Sequence, residues 1–254
     1  MKSLIQTDCS NYYIKRLILL CLVIIFLNSC TKKSNTTVQE YPALPQNVEG
    51  FVFLHNEFGQ FQQSNAGVTV YLDSTSFTAT TDTAGKFTLP NVPAGNYTIT
   101  YSKSGYGTYK SSYSDFLGGE TYQLPTTNLY AMPTTTVTGL ATQPDTINNN
   151  SFIKVSGKLN PPGSVAEPRN IILFAGSYAS VSPNNYTQSV ITTSYDTSFS
   201  IILNAYPYFS AGQTIYYVVY GISGSSTYKD NATGKMVFSA MGATPSNVTS
   251  AVAP

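Results

Sequence analysis

The sequence predicts an all-β protein with two antiparallel β-sandwich domains in tandem, which follow an N-terminal targeting segment. Short segments with alternating apolar residues recur along the chain, and clusters of Gly, Pro, Asn and Ser separate them. The chain is rich in Tyr and Thr and only 10% of its residues are charged, which is typical of β-rich exported proteins. A chain of 254 residues is long enough to enclose two small cores.

Residues 1–30 have the pattern of a targeting segment. Positively charged residues precede an apolar run at 17–27, and this run is too short to cross a hydrocarbon core of roughly 30 Å as a helix. It ends in the sequence LNSC at 27–30, which resembles the lipobox of bacterial lipoproteins. The resemblance implies that residues 1–29 are a lipoprotein signal peptide and that Cys30 carries the lipid.

The cysteines support lipidation. The chain has three, and the first two, Cys9 and Cys21, would leave with the signal peptide. The remaining Cys30 cannot form an intrachain disulfide, and acylation gives it a role in an oxidising compartment. An ordinary secretory signal or an uncleaved anchor remains the alternative. Residues 30–46, the lipidated cysteine and a polar segment with prolines, are predicted to form a flexible tether.

The first domain is predicted at 47–132. Asp82-Thr83-Ala84-Gly85 and Pro93-Ala94-Gly95-Asn96 are turn sequences, and Gly118-Gly119 predicts the start of a last hairpin. Thr69, Thr98 and Thr100 are expected on a face that water or a second layer covers. The residues expected to face the core alternate along three strands: Val48, Gly50, Val52 and Leu54; Val68, Val70 and Leu72; Tyr97, Ile99 and Tyr101.

Five motifs follow one another in this domain. They are Gly50-x-Val52, Ala66-Gly67-Val68-x-Val70-x-Leu72, Thr81-Asp82-x-x-Gly85-x-Phe87, Val92-Pro93-Ala94-Gly95-x-Tyr97 and Gly105-Tyr106. Their order resembles the carboxypeptidase regulatory-like domain, a transthyretin-like sandwich. The resemblance implies a module without catalytic residues of its own, often a folding or spacer unit in exported proteins and related in fold to starch-binding-type domains.

The second domain is predicted at 133–254. Six or seven short apolar segments at this spacing predict an immunoglobulin or fibronectin type III-like sandwich. The segment 212–220 resembles the tyrosine-corner strand of that group, with Tyr216 as the corner candidate. Since Pro133 interrupts strand pairing, we place the boundary near Met132 to Thr134 and expect the two domains to fold independently.

The sequence gives no support for catalysis, a metal site or a cofactor. His55 is the only histidine, and we expect it to be an ordinary residue at the end of the first strand. Zinc sites need three or four suitable ligands, and the usual phosphate-binding loops are not present in the sequence. The acidic residues are spread singly, several of them in predicted turns. A net charge of +1 does not favour nucleic-acid binding.

Aromatic residues are the remaining candidates for a binding site. The chain has 20 Tyr, 13 Phe and no Trp, and tyrosine rings near Asn and Thr suit stacking on sugars. The alternative is that these tyrosines pack across strands. The predicted glycan-stacking residues are Tyr206, Tyr208, Phe209, Tyr106 and Tyr109.

The sequence therefore predicts a non-catalytic, lipid-anchored protein of the cell envelope. Thr31 is not the aspartate that retains many such lipoproteins in the inner membrane, which favours the outer membrane. The membrane is the expected partner, through the lipid. Three alternatives remain. The first is a carbohydrate-binding module of a glycan-uptake system, which an exposed aromatic row on one sheet would favour. The second is a surface adhesin or fimbria-type subunit that binds another envelope protein, which an unpaired edge groove would favour, and the last is an unrecognised hydrolase.

Overall fold

The computed structural model describes residues 44–147, 150–224 and 226–254, with only the backbone of Asp115, Ile147 and Asn150. The predicted signal peptide, Cys30 and the tether up to residue 43 lie outside the described residues. Within the described ranges all regular secondary structure is β, which confirms the predicted fold class. In the same ranges, no helix is long and apolar enough to cross a membrane.

The first sandwich consists of two sheets. Its strands are β1 (Gln46–His55), β2 (Thr69–Leu72), β3 (Thr78–Thr80), β4 (Lys86–Val92), β5 (Gly95–Ser102), β6 (Tyr109–Phe116), β7 (Tyr122–Gln123) and β8 (Thr127–Tyr130). One sheet has β1 at its centre, antiparallel to β4 on one side and parallel to β7 and β8 on the other. The other sheet is antiparallel, in the order β3-β2-β5-β6.

The predicted inward faces of the first sandwich are confirmed. Tyr97 is half-buried against the core, while the Asp82 to Gly85 turn closes with a hydrogen bond from Gly85 N–H to the Asp82 carbonyl oxygen at 3.0 Å. The other predicted core residues are buried: Val48, Gly50, Val52, Leu54, Val68, Val70, Leu72, Ile99 and Tyr101.

The predicted hairpin at Gly118-Gly119 is wrong. β6 ends at Phe116 in the second sheet, and the chain then crosses to the first sheet, where β7 and β8 pair with β1. The free edge of β1 needs backbone partners, and this crossing supplies them. Gly118 has a φ of 82°, and a Cβ there would overlap the carbonyl oxygen of Leu44, so the crossing requires glycine.

The second sandwich also has two sheets. Its strands are β9 (Thr136–Ile147), β10 (Asn150–Asn160), β11 (Arg169–Gly176), β12 (Gln188–Ser194), β13 (Ser198–Leu203), β14 (Thr214–Ile222), β15 (Thr227–Lys229), β16 (Met236–Phe238), β17 (Met241–Pro245) and β18 (Thr249–Val252). One sheet has the order β13-β10-β9, and the other has the order β12-β11-β14-β17 with β18 also paired to β14. The chain crosses repeatedly between the sheets, as in immunoglobulin-type sandwiches.

The second sandwich buries residues on both faces of its larger sheet. The core between the sheets includes Ile171, Leu173 and Tyr217. A smaller cluster lies on the outer face of β11 and β14, and the corner candidate Tyr216 packs against it, half-buried. The strands β15 and β16 form a separate hairpin.

Each sandwich encloses its own core. The core of the first runs from Val48 to Leu129 and that of the second from Val137 to Ala253. Between them, β8 ends at Tyr130 and β9 begins at Thr136. The described chain from residue 44 onward nevertheless forms one compact unit.

We predict that the pieces 44–132 and 133–254 fold independently, because each contains a complete core. The first piece starts at residue 44 since β1 begins at Gln46, inside the predicted tether. Each piece should show one cooperative thermal transition by circular dichroism, at a lower Tm than the joined chain because contacts between the domains are lost. If neither piece folds alone while the joined chain does, the division is wrong.

Candidate functional site

A buried arginine joins the two sandwiches. Arg169, the first residue of β11, is only 4% exposed. Its Nη1 lies 3.3 Å from Oε1 of Glu57, in the loop that follows β1. Glu57 also accepts hydrogen bonds from the backbone N–H of Thr134 at 2.7 Å and from the Thr134 hydroxyl at 2.8 Å. We call Arg169, Glu57 and Thr134 the clasp.

Arg169 makes further contacts through its guanidinium group. Its Nε donates to the carbonyl oxygen of Pro162 at 3.3 Å, and its Nη1 donates to the Thr134 hydroxyl at 3.2 Å. Its Cζ lies 4.9 Å from the centre of the Phe58 ring, in a cation–π contact. A buried guanidinium stays charged, so these partners must replace its lost hydration. The contacts of this side chain therefore help to fix the position of one sandwich on the other.

The hairpin β15–β16 bridges the sandwiches at a second place. Phe238 packs edge-on against Phe174 of the second sandwich, with ring centres 5.2 Å apart. Tyr228, on the neighbouring strand, meets Tyr109 of the first sandwich edge-on at 5.9 Å. The hairpin therefore covers part of the sheet β3-β2-β5-β6. It is the second layer expected, as an alternative to water, over the face that carries Thr98 and Thr100.

An ion pair lies where the hairpin meets this sheet. Lys110 Nζ is 2.8 Å from Asp73 Oδ2, and Asp73 also accepts a hydrogen bond from the hydroxyl of Thr100, which is fully buried. Burial alone would raise the pKa of Asp73, but the hydrogen bonds from Lys110 and Thr100 and the charge of Lys110 lower it overall. The hydrogen bond to Asp73 raises the pKa of Lys110. The pair therefore stabilises the fold at neutral pH, and its contribution is lost as pH falls through the folded pKa of Asp73 or rises through that of Lys110.

The two backbones approach closely at Gly107. Its N–H donates to the carbonyl oxygen of Tyr130 at 2.9 Å. A Cβ at this position would overlap the carbonyl oxygen of Ser239 and approach Ala240, both in the second sandwich. Only glycine permits this contact, because any side chain would overlap the backbone of the second sandwich. The backbones of the two sandwiches are therefore in direct contact here.

A cavity of about 370 Å³ lies between the two sandwiches. Its walls are formed by Tyr109 and Tyr113 of β6, by residues 125–128 before and within β8, and by Ser226 and Thr227 at the start of the hairpin. We call it the interdomain cavity. The described side chains around it are hydroxyl-bearing, amide or proline groups, and none is charged.

The outer face of β1 carries exposed phenylalanines. Phe51 is 38% exposed, and Phe53 follows it on the same face. Phe61 is 71% exposed and lies edge-on to Phe53, with ring centres 6.0 Å apart. We call Phe51, Phe53 and Phe61 the phenylalanine patch. The alternation that places Val52 inside also predicts that Phe51 and Phe53 lie outside, although the predicted stacking residues are mainly tyrosines.

His55 ends β1 beside this patch, in the position the sequence predicts. Its Nδ1 lies 3.1 Å from the carbonyl oxygen of Gly59, and its Nε2 lies 3.0 Å from Oδ1 of Asn128. The ring stacks on Tyr130 at 4.7 Å and touches Phe61 at 4.4 Å. Both ring nitrogens of His55 are thus near oxygen atoms, and the ring contacts two aromatic side chains.

Tyr206 borders a groove of about 540 Å³ at one end of the second sandwich. Phe152 and Asn204 line the groove with it, and Pro254 contributes from the C-terminus. The Asn204 side chain accepts a hydrogen bond from the Tyr206 N–H at 3.1 Å, which holds the turn after β13. Tyr206 is 77% exposed and Tyr208 is 53% exposed.

The comparison with protein families agrees with the fold of the first sandwich. Residues 60–130 match the carboxypeptidase regulatory-like domain. This match spans β2 to β8 and confirms the resemblance found in the sequence. No curated protein matches the chain.

Solved structures resemble the chain only distantly. A chain of a type II cohesin–X-dockerin complex from Acetivibrio cellulolyticus is 23% identical over 34% of this chain and 58% of its own, with a TM-score of 0.29. A Bacteroides uniformis protein with a proposed carbohydrate-binding role is 14% identical over 82% of this chain and 99% of its own, with a TM-score of 0.29. A DUF3823 family protein from the same organism is 12% identical over 83% of this chain and 100% of its own, with a TM-score of 0.30. At these TM-scores the structures do not bear on the function of this chain.

The structure separates the predicted glycan-stacking residues. In the carboxypeptidase regulatory-like domain, Tyr106 and Tyr109 are half-buried against the core, and Tyr109 also contacts the hairpin. Phe209 is only 6% exposed and belongs to the core of the second sandwich. Its N–H donates to the carbonyl oxygen of Ala205, so the chain turns back and carries the ring inward. The assignment of Phe209 as a stacking residue is therefore wrong, and only Tyr206 and Tyr208 are largely exposed.

Acidic residues of both sandwiches have structural partners. Glu49 pairs with Lys86 at 3.1 Å. Asp82, Asp196 and Asp230 accept hydrogen bonds from backbone N–H groups in their own turns. The turn at Asp82 is one that the sequence predicts. Among the residues that the structure describes, no group of three or more His, Cys, Asp or Glu side chains could hold a metal ion.

We predict that Glu57→Gln destabilises the joined chain by about 2–4 kcal/mol, because it leaves the buried charge of Arg169 without its partner. Glu167→Gln is the matched control. Glu167 also contacts Arg169, at 3.4 Å, but its side chain is 59% exposed, so the loss should stay below about 0.5 kcal/mol. Urea unfolding of 44–254 measures both variants. Equal losses of unfolding free energy in Glu57→Gln and Glu167→Gln would show that the clasp does not hold the sandwiches together.

Proposed function

We propose that the protein is a non-catalytic, lipid-anchored protein of the cell envelope whose two sandwiches work as one structural and interaction unit. The observation that carries this proposal is the clasp, which ties β11 of the second sandwich to the loop after β1 of the first. A spacer made of independent domains does not need a buried arginine between them. A unit that presents surfaces of both domains in a fixed arrangement does.

Structural roles of the titratable side chains support a non-catalytic function. Asp73 and Glu57 are held in ion pairs with Lys110 and Arg169. His55, the only histidine in the sequence, contacts two aromatic rings and has both nitrogens near oxygens. The match to the carboxypeptidase regulatory-like domain agrees with this proposal, since such modules carry no catalytic residues of their own.

The sequence supports the lipid anchor. Cys30 follows an apolar run and a lipobox-like tripeptide, and residues 31–43 separate it from the first described residue, Leu44. A segment of that length reaches about 45 Å at most when extended. The folded unit would therefore stay close to the membrane, and the lipid would make the membrane its first partner.

We predict that the wild-type protein fractionates with membranes, because two or more acyl chains anchor stably. Cys30→Ser should release it or leave it unprocessed, whereas Cys21→Ser should not, since Cys21 lies in the predicted signal peptide. Sucrose-gradient fractionation should place the wild-type protein in the outer membrane. Mass spectrometry that finds an unmodified Cys30 at the mature N-terminus would refute the anchor.

Carbohydrate binding is the second candidate function, and an exposed aromatic row on one sheet favours it. Phe51 and Phe53 form this row on β1 with Phe61 beside it, and Tyr206 and Tyr208 form a second exposed aromatic surface. Both surfaces lie on the outside of the sandwiches, as expected for domains that fill their interior with side chains. One or two stacked rings should give a Kd on the order of 0.1–1 mM.

We predict that soluble 44–254 binds a member of a polysaccharide panel in this affinity range, as measured by affinity electrophoresis. The double variant Tyr206→Ala, Tyr208→Ala tests one surface, and Phe51→Ala, Phe61→Ala tests the other. Tyr195→Ala is the control, because Tyr195 is 59% exposed and belongs to neither of these two surfaces. No retardation at millimolar sugar, or retardation unchanged in both double variants, would leave these surfaces without a role in glycan binding.

A further inference from the structure

One side of the second sandwich is closed and the opposite side is open. On the closed side β9 lies beside β18, where the Thr142 hydroxyl donates to the carbonyl oxygen of Ser250 at 2.8 Å and the Leu140 N–H donates to the Asn247 side chain at 2.9 Å. On the open side the two sheets end in β12 and β13. Among the described residues, no further strand pairs with the outer edge of either strand.

β12 presents an unprotected strand edge. Alternate backbone N–H and C=O groups of an edge strand point away from the sheet, and proteins usually block such an edge with charged residues, proline, bulges or a covering element. The seven residues of β12, QSVITTS, include no charged residue, proline or glycine. Its pairing with β11 runs from Ser194 to Gln188 without a register shift. The edge is therefore long, regular and available to another strand.

The other described edges are blocked or short. β4 contains Pro90, β9 contains Pro144 and β17 ends in Pro245. The edge strand β6 lies beside the hairpin β15–β16, with Tyr109 against Tyr228. The strands β3, β7, β8, β15, β16 and β18 have four residues or fewer. Only β12 and β13 remain as described edges that another strand can extend.

An exposed isoleucine lies at the centre of β12. Ile191 is 42% exposed and pairs with Ile172 of β11, which is fully buried in the apolar cluster on the outer face of that sheet. Val190 packs against the core between the sheets but is only half-buried, since the described sheet ends at β12. One more strand at this edge would remove apolar surface of both side chains from water.

We infer that β12 pairs with β12 of a second copy of this chain, antiparallel, about a two-fold axis through Ile191. In this register Val190 lies opposite Thr192, Ser189 lies opposite Thr193, and Ile191 lies opposite itself. Every pair joins side chains on the same face of the sheet, because the strand has an odd number of residues. No like charges meet, and pairs of β-branched or hydroxyl side chains are favourable across strands. The strand is thus complementary to itself.

β13 does not permit the same pairing. It has six residues, so a full overlap about a two-fold axis would place the core-facing Ile201 opposite the outward-facing Ser200. Its exposed residue Ile202, at 48%, lies away from the centre of the strand. β13 therefore provides a control of similar exposure on the same side of the sandwich.

A pairing of this size predicts a weak dimer. Seven residue pairs should bury less than the roughly 1,200 Å² of stable interfaces, so we expect a Kd on the order of 0.1 mM. The inference depends neither on the lipid anchor nor on the clasp. A monomeric protein would leave the proposed two-sandwich unit unaffected.

The test is disulfide formation in the purified protein, in mild detergent, at a concentration a few times the expected Kd. Ile191→Cys should form a covalent dimer under mild oxidation, because its two Cβ atoms would lie about 4.5–5.5 Å apart across the axis. Ile202→Cys should stay at the wild-type level, which measures the background from the protein's own cysteines. A mixture of Ser189→Cys and Thr193→Cys should crosslink, whereas each variant alone should not, since identical positions would lie about 13 Å apart.

Charge variants test the non-covalent dimer by sedimentation equilibrium in density-matched detergent. Ile191→Lys should weaken self-association at least roughly tenfold, because two ammonium groups would meet at the axis. Ile202→Lys should leave self-association unchanged. A wild-type protein that remains monomeric at this concentration would overturn the inference. Equal crosslinking of Ile191→Cys and Ile202→Cys would overturn it as well, even if Ile191→Lys fails to fold.

Discussion

Burying an arginine costs several kcal/mol unless its donors find acceptors, and Arg169 meets this condition only when both sandwiches are present. Its carboxylate partner, Glu57, comes from the first sandwich, while the arginine itself starts a core strand of the second. Thr134, in the segment between the domains, hydrogen-bonds to both side chains. The two cores are separate, so this polar contact, together with the aromatic contact between Tyr228 and Tyr109, holds the linking segment and both domains in one arrangement.

The other interface features depend on that arrangement. With the clasp closed, Gly107 can lie against the backbone of Ser239, and the hairpin β15–β16 can cover the sheet that carries Asp73 and Lys110. The same docking brings Ser226 to the wall of the interdomain cavity, opposite Tyr109 and Tyr113 of the first sandwich. Ion pairs and close backbone contacts fix orientation more strictly than apolar surfaces, because their energies fall steeply with small displacements. A cavity with polar walls from two domains requires such precision.

Local patterns in the sequence predicted the sandwiches but not their docking. Alternation placed Val52 in the core correctly, since side chains on a strand face opposite sides in turn. It could not predict that Gly118 marks a crossing between sheets, because local turn chemistry does not specify which strand edge is free. Arg169 has no local signal of burial, since its partner Glu57 is distant in sequence. Phe209 looked like part of an exposed aromatic cluster, but the turn after β13 carries its ring into the core.

The most direct test of a clasped two-domain unit is ¹⁵N relaxation of soluble 44–254 in solution. If the clasp holds, amides of the core strands in both sandwiches should fit one rotational diffusion tensor, with a correlation time appropriate to the whole unit. The segment between Tyr130 and Thr136 should then show the same order as the strands, because Thr134 is bound to Glu57. Two different, shorter correlation times, together with fast internal motion in that segment, would contradict the account.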